Sequence, residues 1–349
     1  MVFYYGALVV LACIGMKVSF KGFEREDALS MRTTNSLRGF FILLVMLSHF
    51  RDYCSPYKST FDVLGGRISD ELGQLIVVLF LFYSGYGVCE AIQKKGSGYV
   101  RSFPKNRILK TLLHYDLALL PFLMVGFLFY SGFSARKMIG AFLAWDSLGN
   151  SNWYIFAMLV LYAITWIAFS VFGKRKYLAA AAVTVLTIVY MFVVSKFQGY
   201  WWYDTVLCYP LGMWFSLFKT KIIPFVTRNN LVWLVTVAVL AVGLRYTHWV
   251  GRAIWWRVAE ACCFALLVVF GSMKLTVHNR VLEWLGKHTF EIFILQRLPM
   301  KLLCKQGLAP HQVLFFAVVL VITLALSFLF RWLMQKTDAV LFKPKKTNE

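Results

Sequence analysis

Long apolar runs alternate with short polar segments along almost the whole chain. Runs of about 20 apolar residues are long enough to cross a bilayer as α-helices. Such runs lie near residues 1–15, 35–52, 72–92, 109–131, 153–172, 177–195, 204–218, 230–246, 256–275, 285–303 and 310–334. The pattern therefore predicts an all-α fold, a polytopic integral membrane helix bundle of about eleven transmembrane helices.

The composition supports a membrane protein. Hydrophobic residues make up 60% of the chain and charged residues only 15%, and the mean hydropathy is +0.66. No polar stretch is long enough for a separate water-soluble domain. We expect an extra N-terminal transmembrane helix with a cytoplasmic loop over 1–30, one membrane domain over 31–336, and a basic cytoplasmic tail over 337–349.

The net charge of +21 comes from basic residues in short loops between the apolar runs. Nucleic-acid binding does not explain this distribution, whereas retention of basic loops in the cytoplasm does. The alternation predicts a multi-pass protein of the cytoplasmic (inner) membrane, with its N-terminus outside and its C-terminus in the cytoplasm. The first apolar run could also be a cleaved signal peptide, but basic residues follow it rather than precede it, which favours retention.

The second apolar run carries an arginine and a histidine on one helical face. Arg38 and His49 are eleven residues apart, so at about 100° per residue they point within roughly 20° of each other, about 16 Å apart along the axis. Ionisable residues at such depth usually mark functional sites. The alternative is a snorkelling arginine and an interfacial histidine. Asp52, three residues on, either orients the His49 ring or caps the helix end in water.

Several further residues are candidates for binding. Arg107 and Lys110 precede an apolar run and suit a phosphorylated cytosolic donor, although topology alone explains most basic residues here. Ser84, within Phe82–Gly87, suits helix packing better than chemistry. Trp153 and Tyr154 open a span, either as interfacial aromatics or as a surface that stacks on a sugar.

Glu291 lies within an apolar run near Lys287, with which it could pair locally. No metal is expected, because the six histidines are dispersed and the chain lacks an HExxH motif. The seven cysteines are scattered through apolar runs without the spacing of metal ligands, so we interpret them as small hydrophobic residues.

Five stretches, in this order, resemble the membrane acyltransferase-3 family. They are Leu37–Phe50 (LRGFFILLVMLSHF) with its Arg-x10-His pattern, 73–87, Arg107–Lys110, Asn152–Phe156 and Leu285–Phe293. Each stretch alone is weakly specific, but the ordered set covers nearly all of the chain after residue 30. The resemblance implies a ten-helix core, to which the first helix of this chain is an addition.

The resemblance also implies a function. The family uses acyl-CoA to acylate hydroxyls, usually of cell-envelope sugars, so the expected donor is acyl-CoA, most simply acetyl-CoA. It implies that His49 is catalytic, that Arg38 is its essential companion and that Arg107 binds the donor. Two positions depart from the family pattern: Lys110 stands where arginine is common, and Gln296 stands where many members have histidine. Gln296 can only position the substrate.

We therefore predict a membrane O-acyltransferase that moves an acyl group, most simply acetyl, to a hydroxyl of a cell-envelope sugar, glycan or lipid-linked glycan. The alternative is a transporter or flippase that uses the buried charges as a substrate or proton path; no internal repeat supports it. Basic residues on the predicted outer side, at 245, 252 and 257, hint at an anionic acceptor. The short basic loops look bacterial, and a homo-oligomer is compatible with the sequence.

Overall fold

The computed structural model describes residues 2–25, 27–53, 60–251 and 253–342. The fold is an all-α membrane helix bundle, as predicted. Its helices are α1 (Val2–Cys13), α2 (Met31–Arg51), α3 (Thr60–Leu72), α4 (Leu75–Phe103), α5 (Lys110–Phe129), α6 (Ala135–Phe142), α7 (Trp153–Phe172), α8 (Lys176–Val194), α9 (Cys208–Val226), α10 (Asn230–Val250), α11 (Ile254–Gly271), α12 (Arg280–Lys287), α13 (Thr289–Leu295), α14 (Arg297–Lys305) and α15 (Gln312–Leu341).

Short irregular elements complete the described chain. A π-helical segment, Pro104–Leu109, joins α4 to α5, and single 3-10 turns occupy Asp27–Leu29 and Tyr200–Trp202. Two three-residue strands, β1 (Met16–Val18) and β2 (Leu275–Val277), pair antiparallel with Met16 opposite Val277. This small ribbon ties the segment after α1 to the segment after α11.

Six described segments are long and apolar enough to cross a membrane: Val63–Phe129, Trp153–Phe172, Lys176–Val194, Asn230–Val250, Ile254–Gly271 and Gln312–Leu341. The first of them contains α4 and α5. Other helices at predicted crossings, such as α2 and α9, are also long, with 21 and 19 residues. The membrane bundle is thus confirmed, whereas a total of about eleven crossings stays a prediction.

Two predicted boundaries differ from the structure. The apolar run near 285–303 is not one helix, because α12, α13 and α14 divide it at His288 and Gln296. Averaged hydropathy hides these breaks, since the polar groups Lys287–Thr289 and Gln296–Arg297 are short beside the apolar residues around them. The polar segment between the apolar runs 35–52 and 72–92 is not all loop, because α3 occupies it from Thr60 onward; residues 54–59 lie outside the described part of the chain.

The contacts between residues divide the chain into two compact units. The first contains the described residues of 1–45, 58–103 and 160–287, and the second contains those of 46–57, 104–159 and 288–349. Helix α2 supplies its first part to the first unit and its last turns to the second. One continuous membrane domain over 31–336 stays a prediction from the sequence.

Glycines set the closest helix contacts of the first unit. A Cβ at Gly85 would overlap the carbonyl oxygen of Tyr209, and a Cβ at Gly212 would overlap that of Phe82. Each glycine of α4 or α9 therefore admits the backbone of the other helix, and no larger residue fits there. The packing interpretation of the Phe82–Gly87 stretch agrees with this geometry.

A second reciprocal contact joins α2 to α12. A Cβ at Gly39 would overlap the Leu282 carbonyl oxygen, and a Cβ at Gly286 would overlap the carbonyl oxygen of Asn35. Gly39 follows Arg38, and Gly286 precedes Lys287. The close contact between the two glycines therefore fixes the backbone next to each of these cationic residues.

Candidate active site

His49 lies in the last turns of α2, within the second unit, and packs against aromatic rings. Its imidazole centroid is 6.4 Å from the ring centroid of Phe293, and Phe293 contacts Tyr154 at 5.4 Å. The neighbouring Phe50 packs against Phe315 at 4.9 Å, which holds the end of α2 against α15. The imidazole therefore has a largely apolar surrounding.

The Nδ1 atom of His49 is buried and has no hydrogen-bond partner among the described residues. An unpaired buried nitrogen is costly in a merely structural histidine, because nothing compensates its lost hydration. An imidazole nitrogen without a partner can accept a proton from a substrate hydroxyl, which is the capacity a general base needs.

The Asp52 carboxylate makes no hydrogen bond to the His49 imidazole, although the Asp52 backbone N–H donates to the His49 carbonyl oxygen at 3.2 Å. Its Oδ2 instead accepts a hydrogen bond from Arg297 Nη2 at 2.9 Å, and its side chain is 54% exposed. The predicted hydrogen bond that would orient the imidazole is thus not formed. Asp52 is instead linked to His49 through Arg297, because the Arg297 cation binds Asp52 and also acts electrostatically on His49.

Arg297 is a site residue that the sequence reasoning missed. Besides its bond to Asp52, it has a buried Nε that finds no hydrogen-bond partner in the described part of the chain. An N–H group in this state is available to an oxygen of a bound ligand. The sequence signal that could have identified Arg297 is a charged residue next to Gln296, just after the apolar residues Ile292–Leu295.

Gln296 is fully buried, with no exposed surface, at the junction of α13 and α14. Its Nε2 donates to the Phe293 carbonyl oxygen at 3.3 Å, while its Oε1 has no partner among the described residues. The Gln296 amide is thus held through its nitrogen, and its oxygen remains available as a hydrogen-bond acceptor.

Glu291, one turn earlier on α13, is partly buried and has no ion pair within the described residues. Lys287, its expected partner, donates to Glu283 instead.

Trp153 and Tyr154 begin α7, and their rings meet edge to face at 5.8 Å. Tyr154 belongs to the aromatic group around His49 through its contact with Phe293. Asn152 does not cap α7 with its side chain; its Nδ2 donates to the carbonyl oxygens of Ala144 and Trp145 at 2.9 and 3.0 Å. It thereby fixes the turn before the helix.

Arg38 belongs to the first unit, on the same helix as His49. Its Nη1 donates to Asn35 Oδ1 at 3.3 Å, and it lies close enough to Tyr83 for an electrostatic interaction. The Tyr83 hydroxyl is buried without a hydrogen-bond partner among the described residues. Ser84 is engaged, because its hydroxyl shares a hydrogen bond with Tyr162 at 3.1 Å.

The two cations predicted to bind the donor differ in their surroundings. Lys110 pairs with Asp338 at 2.7 Å, and His114 contacts the same carboxylate at 2.9 Å. Arg107 is exposed in the π-helical segment that precedes α5. The charge of Lys110 is therefore compensated by a carboxylate of the protein, and the exposed side chain of Arg107 is accessible to a phosphate.

The described residues contain no group of three or more His, Cys, Asp or Glu side chains that could hold a metal ion. Of the sequence-predicted residues, the second unit brings His49 near Tyr154 through Phe293, and its α13–α14 segment supplies Gln296 and Arg297. Arg38 and Ser84 lie in the first unit, and Lys110 is bound to Asp338.

Comparison with known proteins gives one match. A family model described as an acyltransferase domain, that of the acyltransferase-3 family, matches residues 34–332. No curated protein and no solved structure matches the chain.

Proposed function

The chain belongs to the acyltransferase-3 family and is a multi-pass membrane acyltransferase, and on that premise we propose that it is an O-acyltransferase with acyl-CoA as donor. The acyl group is most simply acetyl, and the acceptor is a hydroxyl of a cell-envelope sugar, glycan or lipid-linked glycan. The protein acts from the cytoplasmic membrane, with its basic loops and C-terminus in the cytoplasm. The observation that carries the proposal is the unpartnered Nδ1 of His49 among aromatic walls.

His49 is the general base. Its neutral imidazole accepts the proton of the acceptor hydroxyl, and the oxygen attacks the thioester carbonyl. The tetrahedral intermediate then collapses, the carbon–sulfur bond breaks, and the coenzyme A thiolate takes the proton from the imidazolium. Apolar walls such as Phe293 exclude water, which limits hydrolysis of the thioester.

Arg297 stabilises the negative charge that develops on the carbonyl oxygen. Its cation is held by Asp52 at 2.9 Å, and its buried Nε lacks a partner among the described residues. A donor that is already fixed and desolvated costs no reorganisation when the oxyanion forms. Gln296 and Tyr154 position the reacting groups, and Trp153 and Glu291 contribute to the acceptor side.

Arg107 binds the phosphates of the donor, and Arg38 is the second cation on this path. A guanidinium suits phosphate because it donates two parallel hydrogen bonds. Lys110 has a weaker share in donor binding than the sequence suggests, since Asp338 already neutralises it.

The test uses purified protein in nanodiscs, acetyl-CoA as donor, neutral sugars and their trisaccharides as acceptors, and the release of coenzyme A thiol as readout. Wild type should bind and cleave acetyl-CoA; His49→Ala should bind it without cleavage, and Arg38→Ala should bind it weakly. The matched control is His311→Ala, since His311 is exposed at the start of α15. If wild type neither binds nor cleaves acetyl-CoA or longer acyl-CoAs, the donor is wrong. A radiolabelled acyl group that stays on His49 would assign it as acyl carrier instead of base.

A further inference from the structure

The first unit contains a cavity of about 580 Å³ that the proposed chemistry does not use. Its wall comes from four segments: the turn between α3 and α4, the Tyr200–Thr205 stretch before α9, the end of α10 and the start of α11. The predicted crossing at 204–218 starts later, at Cys208, so Asp204 and Thr205 precede the helix and face this cavity.

The two basic side chains of the wall, His248 and Arg257, already have carboxylate partners. His248 contacts Glu71 through Nε2 at 3.0 Å and Glu260 through Nδ1 at 2.7 Å. Arg257 lies 3.6 Å from the Asp204 carboxylate and stacks on the Tyr200 ring, 4.0 Å from its centroid. Each of these three carboxylates, Glu71, Glu260 and Asp204, therefore has a basic partner within the wall.

The hydrogen-bond acceptors of the wall are in excess. Asp204 Oδ1, Thr205 Oγ1 and Gln74 Oε1 are all buried, and none has a partner among the described residues. Asp204 and Thr205 are each only 2% exposed. Buried polar atoms are nearly always paired, so three orphaned oxygens in one cavity wall indicate a missing set of donors.

We propose that this cavity is a binding site for a neutral, polyhydroxylated ligand, a sugar ring whose hydroxyls donate to Asp204, Thr205 and Gln74. Trp249, 75% exposed at the cavity, offers an aromatic face to the apolar side of the ring. The assignment deepens the proposed function, because the bound sugar would be a unit of the acceptor glycan. Only this identification of the sugar as part of the acceptor rests on the proposed function.

The charged groups of the wall favour a neutral ligand over an ionic one. An anion would meet four carboxylates, those of Asp70, Glu71, Asp204 and Glu260. An anionic group held by Arg257, suggested by its position in the sequence, would have to displace Asp204 from it. A cation would have to displace His248 or Arg257 from their carboxylates. Burial also raises the pKa of the Asp204 carboxyl to about 7 in spite of Arg257, which further favours a neutral ligand.

Saturation-transfer NMR on the nanodisc protein without acyl-CoA tests the site. The probes are glucose, N-acetylglucosamine and their trisaccharides, with glucuronate as the anionic arm and glucosamine as the cationic arm. Thr205→Val and Gln74→Leu each remove one orphaned oxygen. Thr236→Val is the matched control, because that hydroxyl is bonded to Val232 within α10 and does not line the cavity.

Neutral sugars should bind wild type and the Thr236→Val control equally, and each cavity variant should weaken them about 3- to 10-fold. Absence of binding by every neutral probe overturns the assignment, as does tighter binding of glucuronate or glucosamine. Equal binding by wild type and both cavity variants overturns it too, provided that their thermal unfolding matches. Sugar binding without acyl-CoA cleavage would contradict the proposed function and support the sugar site. Acyl-CoA cleavage without sugar binding would support the proposed function and contradict the sugar site.

Discussion

Arg297 Nη2 donates to Asp52 Oδ2 at 2.9 Å, across 245 positions of sequence. The bond ties the residue after α2 to the first residue of α14, and it places a cation within electrostatic reach of His49. Asp52 thus acts on the site through Arg297, whereas its place three residues after His49 suggests a direct contact with the imidazole.

The two roles for Asp52 make different predictions. If Asp52 only holds Arg297, Asp52→Asn should lower kcat modestly, and Arg297→Gln should lower it about 10²- to 10³-fold, as expected for loss of an oxyanion donor. The double variant should be no worse than Arg297→Gln alone, because both changes break one bond. Measurement of kcat for coenzyme A release gives all three values.

Arg297→Lys is the control for charge, since it keeps the cation and the pair with Asp52 but has no Nε–H donor. It should remain well below wild type. An Asp52→Asn loss as deep as that of His49→Ala would instead mean that Asp52 sets the tautomer of the imidazole, as a triad carboxylate does.

His49→Gln should abolish turnover and keep the donor affinity. A general base contributes about 10²- to 10⁴-fold to a rate, and the glutamine amide fills similar space without accepting a proton. The experiment compares kcat with the Kd of acetyl-CoA for wild type, His49→Gln and the exposed-histidine control His311→Ala. Parallel loss of turnover and donor affinity in His49→Gln would indicate a binding role instead.

Arg107→Gln should raise the KM for acyl-CoA about tenfold with little change in kcat, because a charge-assisted bond to phosphate contributes to donor binding. Lys94→Gln is the control: Lys94 is an exposed cation of the same basic stretch but lies on α4, before the π-helical segment. Equal increases for both variants would mean that the basic stretch attracts the donor only through its overall charge.

The Phe82–Gly87 stretch contains its own matched pair for helix packing. Gly85→Ala should lower the thermal midpoint strongly, because its Cβ would overlap the Tyr209 carbonyl and force α4 from α9. Gly87→Ala should be neutral or slightly stabilising, since nothing lies within 4 Å of that Cβ. Thermal unfolding in detergent measures both. Similar midpoints for the two variants would contradict the close α4–α9 contact.

Local sequence was sufficient for the features that depend on one helix. The apolar run with Arg38 and His49 predicts α2, and Gly39, next to Arg38, proves to be a packing position against α12. Hydropathy could not resolve the division of 285–303, because the polar groups that interrupt the helix, Lys287–Thr289 and Gln296–Arg297, are too short to appear as boundaries in an averaged profile.

The rest of the candidate site depends on tertiary packing. Arg297 contacts Asp52 because the tertiary fold places α14 near the end of α2, and no residue spacing in the sequence predicts that contact. Lys110 has the same sequence signal as Arg107, and only the fold reveals that Asp338 binds it. The cavity at Asp204 is lined by four segments that are distant in the sequence. Their proximity is a product of the tertiary fold, so it could not be predicted from the sequence.

The thermal stability should depend on pH through Asp204. Burial raises the pKa of this carboxyl to about 7 in the folded protein, with Arg257 opposing the shift and Glu260 adding to it; in the unfolded chain it is roughly 4. The folded state therefore binds the proton more tightly, and its stability falls as pH rises from about 4 to above 7. Asp204→Asn removes this titration and also the charge that attracts Arg257.

The measured quantity is the thermal midpoint of Asp204→Asn minus that of wild type, at pH 5 and at pH 8. Other titrating groups cancel in this difference, because both proteins share them. The difference should become more positive at pH 8, by a few degrees, since only wild type must then hold a buried ionised carboxylate. A constant difference would show that Asp204 stays ionised throughout, held by Arg257. A difference that falls with pH would mean that the ion pair outweighs burial.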